Sequence, residues 1–278
     1  MKKIAFLFIL TLAFISCSDN DDSQPEVLGC TDTASLNYNP AANIDDGSCV
    51  YNKNITFSFT QNWDGQSVSS ADFNNTVYTN AFGNNLQISK LRYLISKIVL
   101  HKADGSTVDF EEYKLIDLTD PTSLTLSPAI MATTGDYTGI SFVYGFNEED
   151  NKNGAYPDLN AANWNWPAML GGGYHFMQME GKYEDGNGGE PPYAYHNGTA
   201  RVSTDVFEQN FISFNFNQNF IITADATVEI KMNIAEWYTN PYQWDLNVLN
   251  TDLMMNYVAQ KHMYENGASV FNIGAITQ

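Results

Sequence analysis

The chain has 278 residues, 32 acidic side chains against 13 Lys and Arg, and a formal net charge of −19. Such acidity excludes a role built on phosphate contacts with nucleic acid, and 16 Tyr, 17 Phe and 5 Trp exclude a disordered polymer. The length suits one large all-β domain with a substantial core.

Residues 1–16, MKKIAFLFILTLAFIS, carry two lysines and then an apolar run too short for a convincing membrane span, the pattern of a secretory signal peptide. Cys17 follows at once, and Phe14-Ile15-Ser16-Cys17 resembles a bacterial lipoprotein cleavage box. That resemblance implies cleavage before Cys17, lipidation of Cys17 and an outer-membrane anchor, on the periplasmic face or the cell surface. Losing Lys2 and Lys3 with the leader takes the mature chain to about −21. Residues 17–28 read as an acidic tether, in which Asp19, Asp21 and Asp22 resemble the export tags of Bacteroidetes surface lipoproteins.

Residues 29–51, GCTDTASLNYNPAANIDDGSCVY, read as a small unit of their own. Cys30 and Cys49 are the cysteines left once Cys17 is lipidated, and an oxidising compartment makes a disulfide the economical reading. It would close a loop of about 20 residues and contribute roughly 3 kcal/mol of loop entropy. Asp32, Asp45 and Asp46 are candidate ligands for a structural calcium, and an Asx-turn network would explain them equally. The segment resembles the GCTD…NYNP…DDGSC modules of marine Bacteroidetes proteins, which implies a structural cap or spacer.

Residues 53–278 form the main domain. Ile55, Phe57 and Phe59 alternate with polar residues as in a half-buried strand. Leu86–Lys102, Tyr113–Leu118, Asp136–Tyr144, Phe207–Asn217, Phe220–Ala224, Thr227–Ala235 and Val270–Ile276 are further predicted strands. The acidic stretch 147–160 reads as an ordinary solvated loop. Thr251 can cap a helix over Thr251–Glu265, with Met255, Val258, Ala259 and His262 on one face and Gly267 beyond its end. Short strands separated by turn signals predict an all-β fold, an antiparallel β-sandwich with long loops and one short C-terminal helix.

The chemistry concentrates in residues 163–198, NWNWPAMLGGGYHFMQMEGKYEDGNGGEPPYAYHNG. A period-2 register over Tyr174–Glu180 places His175, Met177 and Met179 on one face, and Tyr174, Phe176 and Gln178 on the other. His196 follows on a Gly/Pro-rich excursion that folds back over this strand. Imidazoles with thioethers suit a soft or borderline metal such as copper, whereas a hydrogen-bonded core histidine among packing methionines needs no metal. Met169, His262 and His101 are further candidate ligands.

The chain resembles the MbnP-like copper-binding proteins, the group related to MopE and CorA. The resemblance is carried by ITFSF (55–59), YTNAFGNNLQISKLRYLISKIVLHKADGS (78–106), YKLIDL (113–118) and GDYTGISFVYGF (135–146). It continues through NWNWPAMLGGGYHFMQMEGKY (163–183), YHNG (195–198) and NGASVFNIG (266–274). It implies copper handling outside the cytoplasm through histidine ligands, helped in some members by a tryptophan oxidised to kynurenine by an MbnH-type dihaem partner. His196 matches the family's short His-x-Gly turn, and His175 matches the histidine of the GYHFM subgroup. Trp164 and Trp166 match the tryptophan-bearing stretch and are the candidates for modification. The Trp-x-His arrangement of copper-binding members is absent, and Gln61, Asn62 and Trp63 stand where related chains often place a histidine.

The expected function is therefore an extracytoplasmic copper-binding lipoprotein that stores, scavenges or delivers the ion without turnover. Its partners would be the lipid membrane and an MbnH-like enzyme or an outer-membrane transporter. The alternative is a surface binding or adhesion module for a glycan, peptide or partner lipoprotein, using Trp63, Trp164, Trp166, Tyr193, Tyr195, Trp237 and Trp244 as a stacking platform. Hydrolysis has little support: Glu180, Asp185 and Glu190 have no spacing that specifies an acid–base pair, and no nucleophile motif occurs.

Overall fold

The computed structural model describes residues 24–278; the leader, Cys17 and the aspartates of the tether lie outside the described residues. The chain divides into a small unit ending at Cys49 and a large one from Val50 to Gln278. In the small unit Leu28–Gly29 pairs in parallel with Ile44–Asp45, and a Cys30–Cys49 disulfide closes the loop. Asp32, Asp45 and Asp46 each accept a hydrogen bond from the backbone N–H two residues on, at Ala34, Gly47 and Ser48. The Asx-turn network is thus what these carboxylates form. No group of three or more His, Cys, Asp or Glu side chains converges as a metal site among the described residues.

The large unit is a β-sandwich. Its main strands are β1 (Ile55–Trp63), β2 (Asn85–Lys102), β3 (Tyr113–Asp117), β4 (Gly135–Tyr144), β5 (Met177–Tyr183), β6 (Pro192–Asn197), β7 (Ile212–Ile222), β8 (Ala226–Asn233) and β9 (Phe271–Thr277). One sheet runs β6-β5-β2-β4-β7, with β3 also paired to β2; the other runs from Thr125–Leu126 through β1 and β8 to β9. Within these two sheets, strands pair antiparallel except β1 and β8, which run in parallel from Ile55↔Ala226 to Asn62↔Asn233. Period-2 patterning explains the layers. Ile55, Phe57 and Phe59 of β1 and Val228, Ile230 and Met232 of β8 face Leu91, Tyr93 and Ile95 of β2 in one apolar core. Gln61 also points into this core, where its Nε2 donates to Tyr93 Oη at 2.7 Å. The amide is thus buried with a hydrogen-bond partner.

Three predicted elements are redrawn. Phe207–Asn217 and Phe220–Ala224 are replaced by a hairpin of Ala200–Ser203 with Val206–Glu208, followed by the single strand β7. Asn217, Gln218 and Asn219 look like a turn in sequence, but β4 continues to pair with β7 across them, with a bulge between Tyr137 and Gly139. The C-terminal helix starts later than Thr251. Leu253–Met255 forms a 3-10 turn, and the helix runs Tyr257–Gly267, capped by Asn256 Oδ1, which accepts from the Ala259 N–H at 3.1 Å. The later start moves the buried face to Ala259, Gln260, Met263 and Asn266, leaving Met255 and Val258 exposed.

Candidate metal centre

The outer face of the β6-β5-β2-β4-β7 sheet is covered by the excursion between β4 and β5. Leu94, Phe146, Leu159, Trp164 and Tyr174 form a second, smaller apolar cluster there. The excursion returns to β5 through Gly171, Gly172 and Gly173, all at positive φ (107°, 68° and 80°). A Cβ on Gly172 or Gly173 would collide with the side chains of Asn153 or Asn151, so the return is restricted to glycine. Those asparagines accept hydrogen bonds from the Gly173 and Tyr174 N–H groups at 2.6 and 2.9 Å, and Asp150 pairs with Lys97 at 2.9 Å. The stretch 147–160, expected to be solvated loop, is a brace for the histidine-bearing segment.

His175 is buried between two indoles. Its ring centroid lies 5.4 Å from that of Trp164 and 4.9 Å from that of Trp166, and the His196 ring sits 5.4 Å away at 81°. His175 Nδ1 is 3.0 Å from the Trp164 carbonyl oxygen. A carbonyl only accepts, so Nδ1 carries the proton and Nε2 keeps its lone pair. His196 Nε2 is 3.0 Å from Glu180 Oε1, which also accepts from Lys90 Nζ at 2.9 Å. The His196 hydrogen bond, then Lys90, draws the Glu180 carboxyl down to about 2. The carboxylate only accepts, so Nε2 carries a proton and a ligand role would fall to Nδ1. Beside the pair, His196, Gln178, Arg92 and Asp117 form one cross-strand row, with Arg92 Nε 3.1 Å from Asp117 Oδ2 and its guanidinium 5.0 Å from the Trp164 ring centre.

Burial lowers the His175 pKa to about 4, with the nearby His196 and Arg92 acting in the same sense and the Trp164 carbonyl against it. An unfolded chain takes up this proton as pH falls below 6.5, whereas the folded chain does so only near 4. The associated stability is complete above 6.5 and is lost as pH falls toward 4. Thermal melts between pH 6.5 and 4.5 are expected to fall more steeply for the native chain than for His175→Asn. Parallel slopes would show that His175 is not the group responsible.

The sequence profile of the MbnP family matches residues 52–256. The chain belongs to the MbnP family. Among solved structures, MbnP from Methylosinus trichosporium is similar, with a TM-score of 0.51 over 81% of this chain and 99% of that one. At 13% identity that likeness is one of fold. No curated protein sequence matches.

In this MbnP-family chain the predicted site residues separate into two groups. His175, His196, Trp164 and Trp166 come together on the outer face. Met177 and Met179 do not join them: both are fully buried in the core between the sheets, where Tyr238 Oη donates to Met179 Sδ at 3.7 Å. The expected common face of His175 with the two methionines is therefore broken. Regular pairing of β5 begins at Met177, and Phe176 and Met177 both face the core. His262 stacks on Tyr242 at a centroid distance of 3.6 Å, and His101 Nε2 lies 2.8 Å from Ser141 Oγ.

Three residues take their supporting roles from the fold. Glu180 has no spacing in sequence that specifies an acid–base pair, and its role beside His196 depends on strand pairing. Gln260, fully buried, donates from Nε2 to the His196 carbonyl at 2.7 Å and the Leu253 carbonyl at 3.1 Å, while its Oε1 accepts from the Gly198 N–H at 3.2 Å. Gly198 gives the His-x-Gly turn a physical reason, because a Cβ there would come within 2.6 Å of the Trp166 indole. Gly198→Ala is expected to cost about 1–3 kcal/mol through overpacking and to shift Trp166 fluorescence. An unchanged melting curve and spectrum would remove Trp166 packing as the reason for this glycine.

Proposed function

We propose that the protein is an extracytoplasmic copper-binding protein that stores, scavenges or delivers the ion without turnover, with His175 and His196 as its ligands. The observation that carries this reading is the imidazole pair, in which each ring has one nitrogen committed to an oxygen and the other left for a ligand role. Membership of the MbnP family supports a general copper-associated, non-catalytic role. Two imidazole nitrogens among indoles suit a soft or borderline ion, whereas calcium and magnesium favour oxygen cages.

Trp166 is the better candidate for oxidation. Arg92 places a positive charge over the Trp164 ring and opposes removal of an electron from it, while Trp166 meets His175 edge-on and is held by Nε1 donating to the Leu170 carbonyl. An MbnH-type dihaem enzyme or an outer-membrane transporter as partner, and lipid anchoring at Cys17, belong to the same proposal. The adhesion reading loses its platform, because all five tryptophans together with Tyr193 and Tyr195 are buried.

Metal content and Cu(I), Cu(II), zinc and calcium titrations on the purified chain, with intact mass, test the assignment. One tight copper per chain is expected. Glu180→Gln should weaken it by about 10–100-fold by loosening the His196 ring. Copper affinity indifferent to this change would detach Glu180 from the site, and calcium binding alone would overturn the copper reading.

A further inference from the structure

Beside His196 lies an open groove of about 360 Å³ whose walls include Met169, Met254, Met255 and Asp252. Met169 and Met255 are each 63% exposed, whereas Met177, Met179, Met232 and Met263 are fully buried. The groove methionines come from two separate turns, one after Trp166 and one before the C-terminal helix, and both turns are fixed in place. Trp166 Nε1 donates to the Leu170 carbonyl at 3.1 Å, which ties down the turn bearing Met169. The Gln260 amide bonds the carbonyls of Leu253 and His196 together, joining the turn bearing Met254 and Met255 to the histidine strand.

We propose that this groove is a loading site for Cu(I), in which the thioethers of Met169, Met254 and Met255 take the ion before it reaches His196. Thioethers are neutral, soft donors that favour Cu(I) over zinc, calcium or magnesium. They bind such an ion weakly enough to release it, and the Asp252 carboxylate offsets its charge. His196 belongs both to the groove wall and to the imidazole pair, so an ion held in the groove already lies beside one of the two imidazoles. The direction of this transfer rests on the copper reading of the His175–His196 pair; the thioether site itself does not.

Ag(I), a redox-inert soft cation, tests the site by NMR on the purified chain labelled at its methionine methyl carbons. The methyl signals of Met169, Met254 and Met255 are expected to shift on titration, while those of Met177 and Met179 stay in place. In His175→Ala the groove response should persist, which separates this proposal from the assignment of the imidazole pair. The triple change Met169→Leu, Met254→Leu and Met255→Leu keeps the apolar volume and should weaken Ag(I) binding at the groove by at least about tenfold. It should also slow Cu(I) uptake from a chelator complex. Groove methyls that do not move, or uptake at the native rate in the triple variant, would overturn the proposal.

Discussion

Replacing His175 by alanine is expected to abolish tight copper binding while the sandwich remains folded. The loss should exceed the roughly 100-fold that residues merely orienting a ligand reach, because a lone-pair nitrogen is removed outright. The structural cost is confined to the outer cluster. The variant loses one hydrogen bond to the Trp164 carbonyl and leaves a space beside two indoles, about 1–3 kcal/mol together. A competition titration with a Cu(I) chelator, run beside a thermal melt, reads both effects. Met179→Leu is the matching control, because its thioether lies in the core; it should keep native copper affinity. Stoichiometric copper in His175→Ala would sink the assignment, and lost binding in Met179→Leu would return the core thioether to the ligand set.

The largest stability effect is expected at Gln260, which touches no predicted ligand side chain. Leucine there fills a similar volume but leaves the His196 carbonyl and the Gly198 N–H without their Gln260 partner, while the Leu253 carbonyl keeps the Asn256 N–H. At about 1–3 kcal/mol for each buried group left unpaired, the two together come to roughly 2–6 kcal/mol. Gln260→Glu is the instructive companion. It keeps an acceptor for Gly198 and loses the donor for the two carbonyls, so it should lie near the severe end. Denaturant unfolding of both variants, with copper affinity measured on whatever remains folded, tests the clamp. A loss below about 1 kcal/mol in Gln260→Leu would mean that the backbone groups find other partners.

How far the sequence spoke depended on whether one face of an element was purely apolar. β8 alternates without interruption and β1 does so as far as Phe59, before the buried Gln61, and both were legible with their apolar inward residues. The disulfide followed from cysteine count and compartment. The two histidines were legible as members of one segment, and they meet because His175 lies just before β5 while His196 lies on β6, which pairs with β5. The register of the methionines was not. Gly145 leaves a space that the Phe176 ring occupies, since a Cβ at Gly145 would collide with that ring. This turns Phe176 toward the core beside Met177 and breaks the alternation one residue after His175. A Phe among Met and Tyr residues gives no sign of such a shift. Gln260 was hidden for the opposite reason: a glutamine on a short helix ordinarily faces water, and only the backbone it clamps explains its burial.

The parallel pairing of β1 with β8 bears on the order of assembly. These strands lie about 170 residues apart in sequence, so the second sheet is among the most nonlocal contacts the domain makes. Loop-closure entropy must be overcome before that pairing returns any energy, which makes the step slow. The Gln260 clamp lies farther along still, beyond β8. In N-to-C order His175 and His196 thus precede the strand and helix that hold the second sheet and the His196 backbone in place. The two imidazoles therefore acquire their fixed geometry late, once the whole domain is present.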